Sequence, residues 1–226
     1  MMKHLQPTLV LVFGLGSTLG ASAQIPAPPP APGAVSSATY YQNTAPIVQG
    51  VVTRYLMNPR GEVDGLLLND GTQVKFPPHM STELTATVKP GQTVSVQGFR
   101  ENLVGVKAFV ISTDNASVVE HEPTSLPIPP MIADSQLIQI SASGQVQQLL
   151  YGPRGDVNGV LLSDGSIVRF PPEAAYRLGG LLQVGQALSA TGYGTQNQFG
   201  TALEATSIGA SGQTQQAIYG PLRRPR

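Results

Sequence analysis

The stretch GVVTRYLMNPRGEVDGLLLNDGTQVKFPP at residues 50–78 recurs, without a gap and at an offset of 94, as GQVQQLLYGPRGDVNGVLLSDGSIVRFPP at residues 144–172. Sixteen of the 29 positions are identical, among them Pro59-Arg60-Gly61, Gly65, Asp70-Gly71 and Phe76-Pro77-Pro78. The register runs on, pairing Leu84 with Leu178, Gly91-Gln92 with Gly185-Gln186, Ser95 with Ser189 and Gly98 with Gly192. Self-similarity at a fixed spacing is the mark of a duplicated structural unit. Each copy runs about 65 residues, a size at which one small core can fold with little to spare.

Turn formers set the element order inside a copy. Residues 47–57 are a long β-rich run, and Asn58-Pro59-Arg60-Gly61 turns the chain. Residues 63–68 and 73–76 then read as two strands joined at Asn69-Asp70-Gly71, where Asp-Gly supplies the positive φ of a tight hairpin. Pro77-Pro78 stops the third strand. Met80, Leu84 and Val88, matched by Ala174, Leu178 and Leu182, then recur every four residues, the period of one helix face. After Lys89-Pro90-Gly91, residues 93–99 and 104–111 alternate as two further strands around a loop at 100–103. Gly65/Gly159 and Gly98/Gly192 lie inside strands, where glycine lets a sheet coil tightly enough to close.

The expected fold class is therefore all-β with a short helix per repeat, as two tandem five-stranded OB-fold-like small barrels. Three strands, a helix and two strands is the OB order; an SH3-like barrel, the competing architecture, does not call for such a helix before the fourth strand. The motif at 50–78 and 144–172 resembles that of exported bacterial OB-fold proteins of uncharacterised role, over about 130 residues of both copies. That resemblance implies export and the OB fold, and brings no catalytic residue with it.

Outside the copies, residues 1–23 read as a signal peptide: Lys3, an apolar run at 9–15, and Ala21-Ser22-Ala23 as the small-residue site, giving Gln24 as the mature N-terminus. The apolar run is too short to cross a bilayer of about 30 Å. Residues 24–46 form a Pro/Ala-rich tether, 47–112 barrel 1, 113–141 a Pro-containing linker with a strand near 137–140, 142–210 barrel 2, and 211–226 a partial third repeat with a basic tail. In that last segment, residues 211–221 match 143–153 at eight of eleven positions. A lone first strand of this kind is suited to join a sheet edge of its own chain or of a neighbour, which offers self-association through 211–221.

Composition narrows the chemistry. Of 226 residues, 12% are charged and 41% apolar, with 25 glycines, 20 prolines and a formal net charge of zero. Balanced charge lacks the footprint that neutralises duplex phosphates, so the expectation is no duplex nucleic-acid partner. The absence of cysteine removes disulfides, thiolate metal sites and cysteine nucleophiles. His79 becomes Glu173 in the second copy, so no facing histidine pair repeats, and no metal or cofactor is expected. Asp70 and Asp164 occupy turn positions rather than opposite walls of a cleft, which argues against a paired-carboxylate enzyme.

OB barrels bind on the face of strands two and three, between the loop joining strands one and two and the loop joining strands four and five. Those loops contain Arg60, Phe99 and Arg100 in copy one and Arg154, Tyr193, Gln196, Asn197 and Phe199 in copy two, with Tyr55 and Tyr151 nearby. Arg beside an aromatic ring holds sugars, peptides or bases by stacking and forked hydrogen bonds. The expected function is a non-catalytic binding or interaction protein of the bacterial envelope, exported and periplasmic, with an envelope protein, peptide or glycan as ligand. An assembly factor pairing through exposed strand edges is the alternative, and a hydrolytic enzyme stands third.

Overall fold

Residues 46–123 and 137–219 are described in the computed structural model. The expected signal peptide, most of the tether and the basic tail at 222–226 lie outside them. Barrel 1 runs β1 Val48–Met57, β2 Val63–Leu68, β3 Gln73–Lys75, a 3-10 turn Pro78–Met80, α1 Ser81–Thr87, β4 Thr93–Arg100, β5 Gly105–Ser112 and β6 Ser117–Val119. Barrel 2 repeats this as β7 Ile138–Tyr151, β8 Val157–Leu162, β9 Ile167–Arg169, α2 Pro172–Leu178, β10 Ala187–Asn197, β11 Gly200–Ala210 and β12 Gln216–Ala217.

The expected fold class is the one observed. In barrel 1 the strands lie in the order β3-β2-β1-β4-β5-β6, and β3 also pairs in parallel with β5 through Gln73↔Gly105, Val74↔Val106 and Lys75↔Lys107. That pairing closes a five-stranded barrel with the 1-2-3-5-4-1 strand order of the OB fold. Barrel 2 closes in the same way, β9 running parallel to β11 and β10 pairing with both β7 and β11. Burial follows the alternation in the sequence, with Val52 and Leu56 of β1 and Val146 and Leu150 of β7 pointing inward. Met80, Leu84 and Val88 are at most 1% exposed, so the face read from their spacing is the one that plugs barrel 1.

Two in-strand glycines show how closure is reached. A Cβ on Gly98 would stand 2.0 Å from the Lys107 carbonyl oxygen, and one on Gly192 would stand 2.0 Å from that of Glu204. Both stand at register shifts in the pairing of the fourth strand with the fifth, irregularities of the kind that bend a strand.

Each barrel carries a sixth strand. Ser117–Val119, inside the stretch read as linker, pairs with β5 and buries Val118. In barrel 2 the equivalent position is filled by the start of the partial third repeat: Gln216–Ala217 pairs with β11, and Ile218 is 4% exposed. The Ile218 N–H donates to Thr206 O at 2.8 Å, just as Glu120 donates to Phe109 O at 2.7 Å. Of the two roles expected for residues 211–221, the described part takes the one on a sheet edge of its own chain. One edge of residues 216–217 pairs with the chain's own β11, and β12 becomes the last strand of that sheet.

Candidate functional site

The strand-two and strand-three faces of the barrels pack on one another. Leu150, Leu161, Ile167 and Ala202 of barrel 2 belong to the same apolar cluster as the core of barrel 1. Around this centre the contacts repeat about a rough two-fold axis. Asn102, in the β4–β5 loop, donates to Gly152 O at 3.0 Å, and Asn197, at the end of β10, donates to Gly61 O at 2.9 Å. Thr195 adds a bond to Pro59 O at 2.9 Å. Each fourth-to-fifth-strand loop thus grips the Pro-Arg-Gly turn of the other barrel. Arg169 meets Asp64 at 3.6 Å across the same junction.

Sequence reasoning placed Arg60 with Phe99 and Arg154 with Tyr193, within each copy. The loops are instead brought together crosswise, the Arg60 turn with the 195–197 segment and the Arg154 turn with Asn102. Arg60, Arg100, Arg154, Gln196 and Asn197 are exposed, and Phe99 and Tyr193, equivalent positions of the two copies, are 49% and 50% exposed. Phe99 leans on Phe109 with ring centroids 5.5 Å apart. Tyr55 is partly buried, which lifts its phenol pKa, and it donates its hydroxyl to Val88 O at 2.6 Å. Arg154 lines a groove of about 370 Å3 that both Pro-Arg-Gly turns border, through Pro59 on one side and Pro153 on the other. Asp156, Arg169 and Phe170 complete it.

Gln73 was not singled out from the sequence. Its Nε2 donates to Leu149 O at 2.7 Å and its Oε1 accepts from Tyr151 N at 3.0 Å, so a barrel 1 side chain hydrogen-bonds to β7 like a piece of backbone. A signal existed: position 73 is Gln where its counterpart 167 is Ile, within strands that otherwise match closely.

The ionisable groups are dispersed. Burial lifts the Asp64 carboxyl above its ordinary value, and the Arg169 guanidinium pulls it back only in part. The Glu122 carbonyl, then the Glu83 carboxylate at 3.1 Å, hold the His121 imidazole above its usual range. At the corresponding place on barrel 2, Tyr219 donates to Glu204 at 2.7 Å, and burial followed by that bond pushes its phenol up to about 12. Among the described residues no group of three or more His, Asp or Glu side chains is placed to hold a metal ion. Asp70 and Asp164 accept hydrogen bonds from the residues two positions on, Thr72 and Ser166, as turn aspartates do.

No protein-family model and no curated protein matches the chain. Among solved structures, the wild-type single-stranded DNA binding protein from Thermus aquaticus matches at 15% identity, covering 78% of this chain and 94% of that one, with a TM-score of 0.24. A deletion mutant of the same protein matches with equal identity and TM-score over 95% of its length. The expectation about nucleic acid is corrected here. Duplex nucleic acid was set aside on net charge, whereas the matched chains are single-stranded DNA binding proteins. Net charge speaks to duplex phosphates, whereas single strands are held by local basic tracks and by rings on which bases stack.

Proposed function

We propose that this chain is an exported, non-catalytic binding protein of the bacterial envelope, whose ligand is a peptide or glycan segment laid in the groove at Arg154. The observation that carries this reading is the groove itself, about 370 Å3, with both Pro-Arg-Gly turns on its rim. Arg154, Asp156 and Arg169 offer charges of both signs, and Pro59, Pro153 and Phe170 give apolar wall and floor. Mixed charge over an apolar floor suits a neutral polar chain that is held by several hydrogen bonds. Phe99 and Tyr193 add exposed rings on β4 and β10.

The test uses residues 24–226 as bait against envelope extract and against peptidoglycan fragments. A quadruple variant, Arg60→Ala, Phe99→Ala, Arg154→Ala and Tyr193→Ala, serves as the control, with oligothymidine as a competing probe. Capture that is lost in the variant supports the reading. Capture that survives in the variant, or binding to oligothymidine alone, overturns it. Intact-mass measurement of the full-length protein from envelope fractions tests export, with Gln24 as the expected first residue; a cytoplasmic chain that retains Met1 overturns that part.

A further inference from the structure

On the side of the junction where Ile167 takes the place that Gln73 has on the other, the barrels leave a cleft of about 280 Å3. Tyr55, Met57, Ile167 and Phe199 form its apolar wall, with the rings of Tyr55 and Phe199 edge to face at 5.5 Å. Its charged groups are Arg54 from barrel 1 and Asp164 from barrel 2. Arg54 is half-buried, and its Nη1 lies 3.8 Å from where a Cβ on Gly165 would stand. Among the described residues it makes no hydrogen bond or ion pair. Asp164 is held in place by the Ser166 N–H at 2.8 Å and the Ser166 hydroxyl at 3.0 Å.

The cleft therefore presents a guanidinium without a counter-ion, a fixed carboxylate that does not pair with it, and an aromatic wall. An unpaired, partly desolvated guanidinium is completed by a carboxylate, which it can hold with two parallel hydrogen bonds. The Asp164 charge disfavours a dianion such as phosphate and favours an ammonium. The volume falls just below the roughly 300 Å3 at which drug-sized sites begin, so the occupant is no larger than a single residue. We propose that this cleft binds a free α-amino acid with a large apolar or aromatic side chain, its carboxylate on Arg54, its ammonium toward Asp164 and its side chain against Phe199 and Tyr55. The opposite side of the junction offers no second copy of the site. There Gln148 replaces Arg54 and donates to Gly71 O at 2.9 Å, and Gln73 hydrogen-bonds to Leu149 O where Ile167 offers no polar group.

Isothermal titration of residues 24–226 with L-phenylalanine, L-leucine and L-methionine tests the proposal. Saturable one-to-one binding is expected for at least one of them, weakened about tenfold or more by Arg54→Gln at an unchanged melting temperature. Phenylalaninamide, which lacks the carboxylate, and N-acetylphenylalanine, which lacks the ammonium, should each bind more weakly than L-phenylalanine to the unaltered protein, a comparison that requires no variant to fold. No saturable binding up to about 10 mM, or equal binding by the amide, overturns the proposal and leaves Arg54 as a stem that covers apolar surface. Capture at the Arg154 groove should be untouched by Arg54→Gln, so the two sites stand or fall separately.

Discussion

The two ends of the barrel junction are built from the same repeated sequence and finish differently. At one end Gln73 inserts between strands and hydrogen-bonds to Leu149 and Tyr151 of β7. At the other, Ile167 brings no such groups and a cleft remains beside Arg54. The backbone path is common to both; a single side chain decides whether an end is tied or open. Duplication supplies the frame, and divergence at a few facing positions supplies the difference.

The comparison is broken most directly by making the ends alike. Gln73→Ile removes the side-chain partner of part-buried backbone groups at Leu149 and Tyr151, and at about 1–3 kcal/mol for each group left unsatisfied it should destabilise the fold by about 2–6 kcal/mol. Denaturant unfolding measures this, and a loss no greater than that of an exposed substitution would mean that the tie is not structural. The barrel edges sharpen the comparison next. Deleting residues 211–226 exposes the surface that Ile218 covers and removes the Arg177 bond to its carbonyl. A melting temperature lowered by the equivalent of about 2 kcal/mol is expected from the burial of one such side chain. Unchanged melting would make β12 a silent strand.

At the open end, Ile167→Val trims one methylene and should cost only about 1 kcal/mol, read from the same unfolding curves. The smallest effect concerns Asp64. Its folded pKa lies above the ordinary 3.8, so in the interval above 3.8 the folded chain binds more protons than the unfolded one. That contribution to stability is present at low pH and is lost as pH rises through the raised value. Asp64→Asn removes it, and Asn158 already stands at the equivalent position of barrel 2. The melting temperature of the variant relative to the parent should rise as the pH is raised from about 4. A relative melting temperature that falls over that range would reverse the sign.

Much of each barrel was legible because its determinants are local. Asp70-Gly71 and Asp164-Gly165 announce the hairpins, and Gly71 and Gly165 do take φ of 86° and 88°. Pro77-Pro78 ends a strand, and the spacing of Met80, Leu84 and Val88 gives the helix face. The sixth strand of barrel 1 was not read as such, since Ser117–Val119 is too short to show a period and is defined only by the β5 edge that receives it, whereas its counterpart in barrel 2 was legible as a repeat of the first strand. The site was legible as a set of loops and not as a geometry. Asn102 and Asn197 find partners 50 and 136 residues away on the other barrel, and no spacing within one copy encodes such a crossing.

The rough two-fold arrangement of the junction has a consequence for what fusing the copies permits. Two identical single-barrel chains meeting face to face would form an isologous contact, in which every residue must suit both roles at once. A Gln at position 73 would then appear at both ends, and neither end could stay open. Carried on one polypeptide, the halves are released from self-complementarity, so one can evolve as clamp and the other as receptacle. The partner, moreover, is always present at a concentration set by the linker between the barrels rather than by expression.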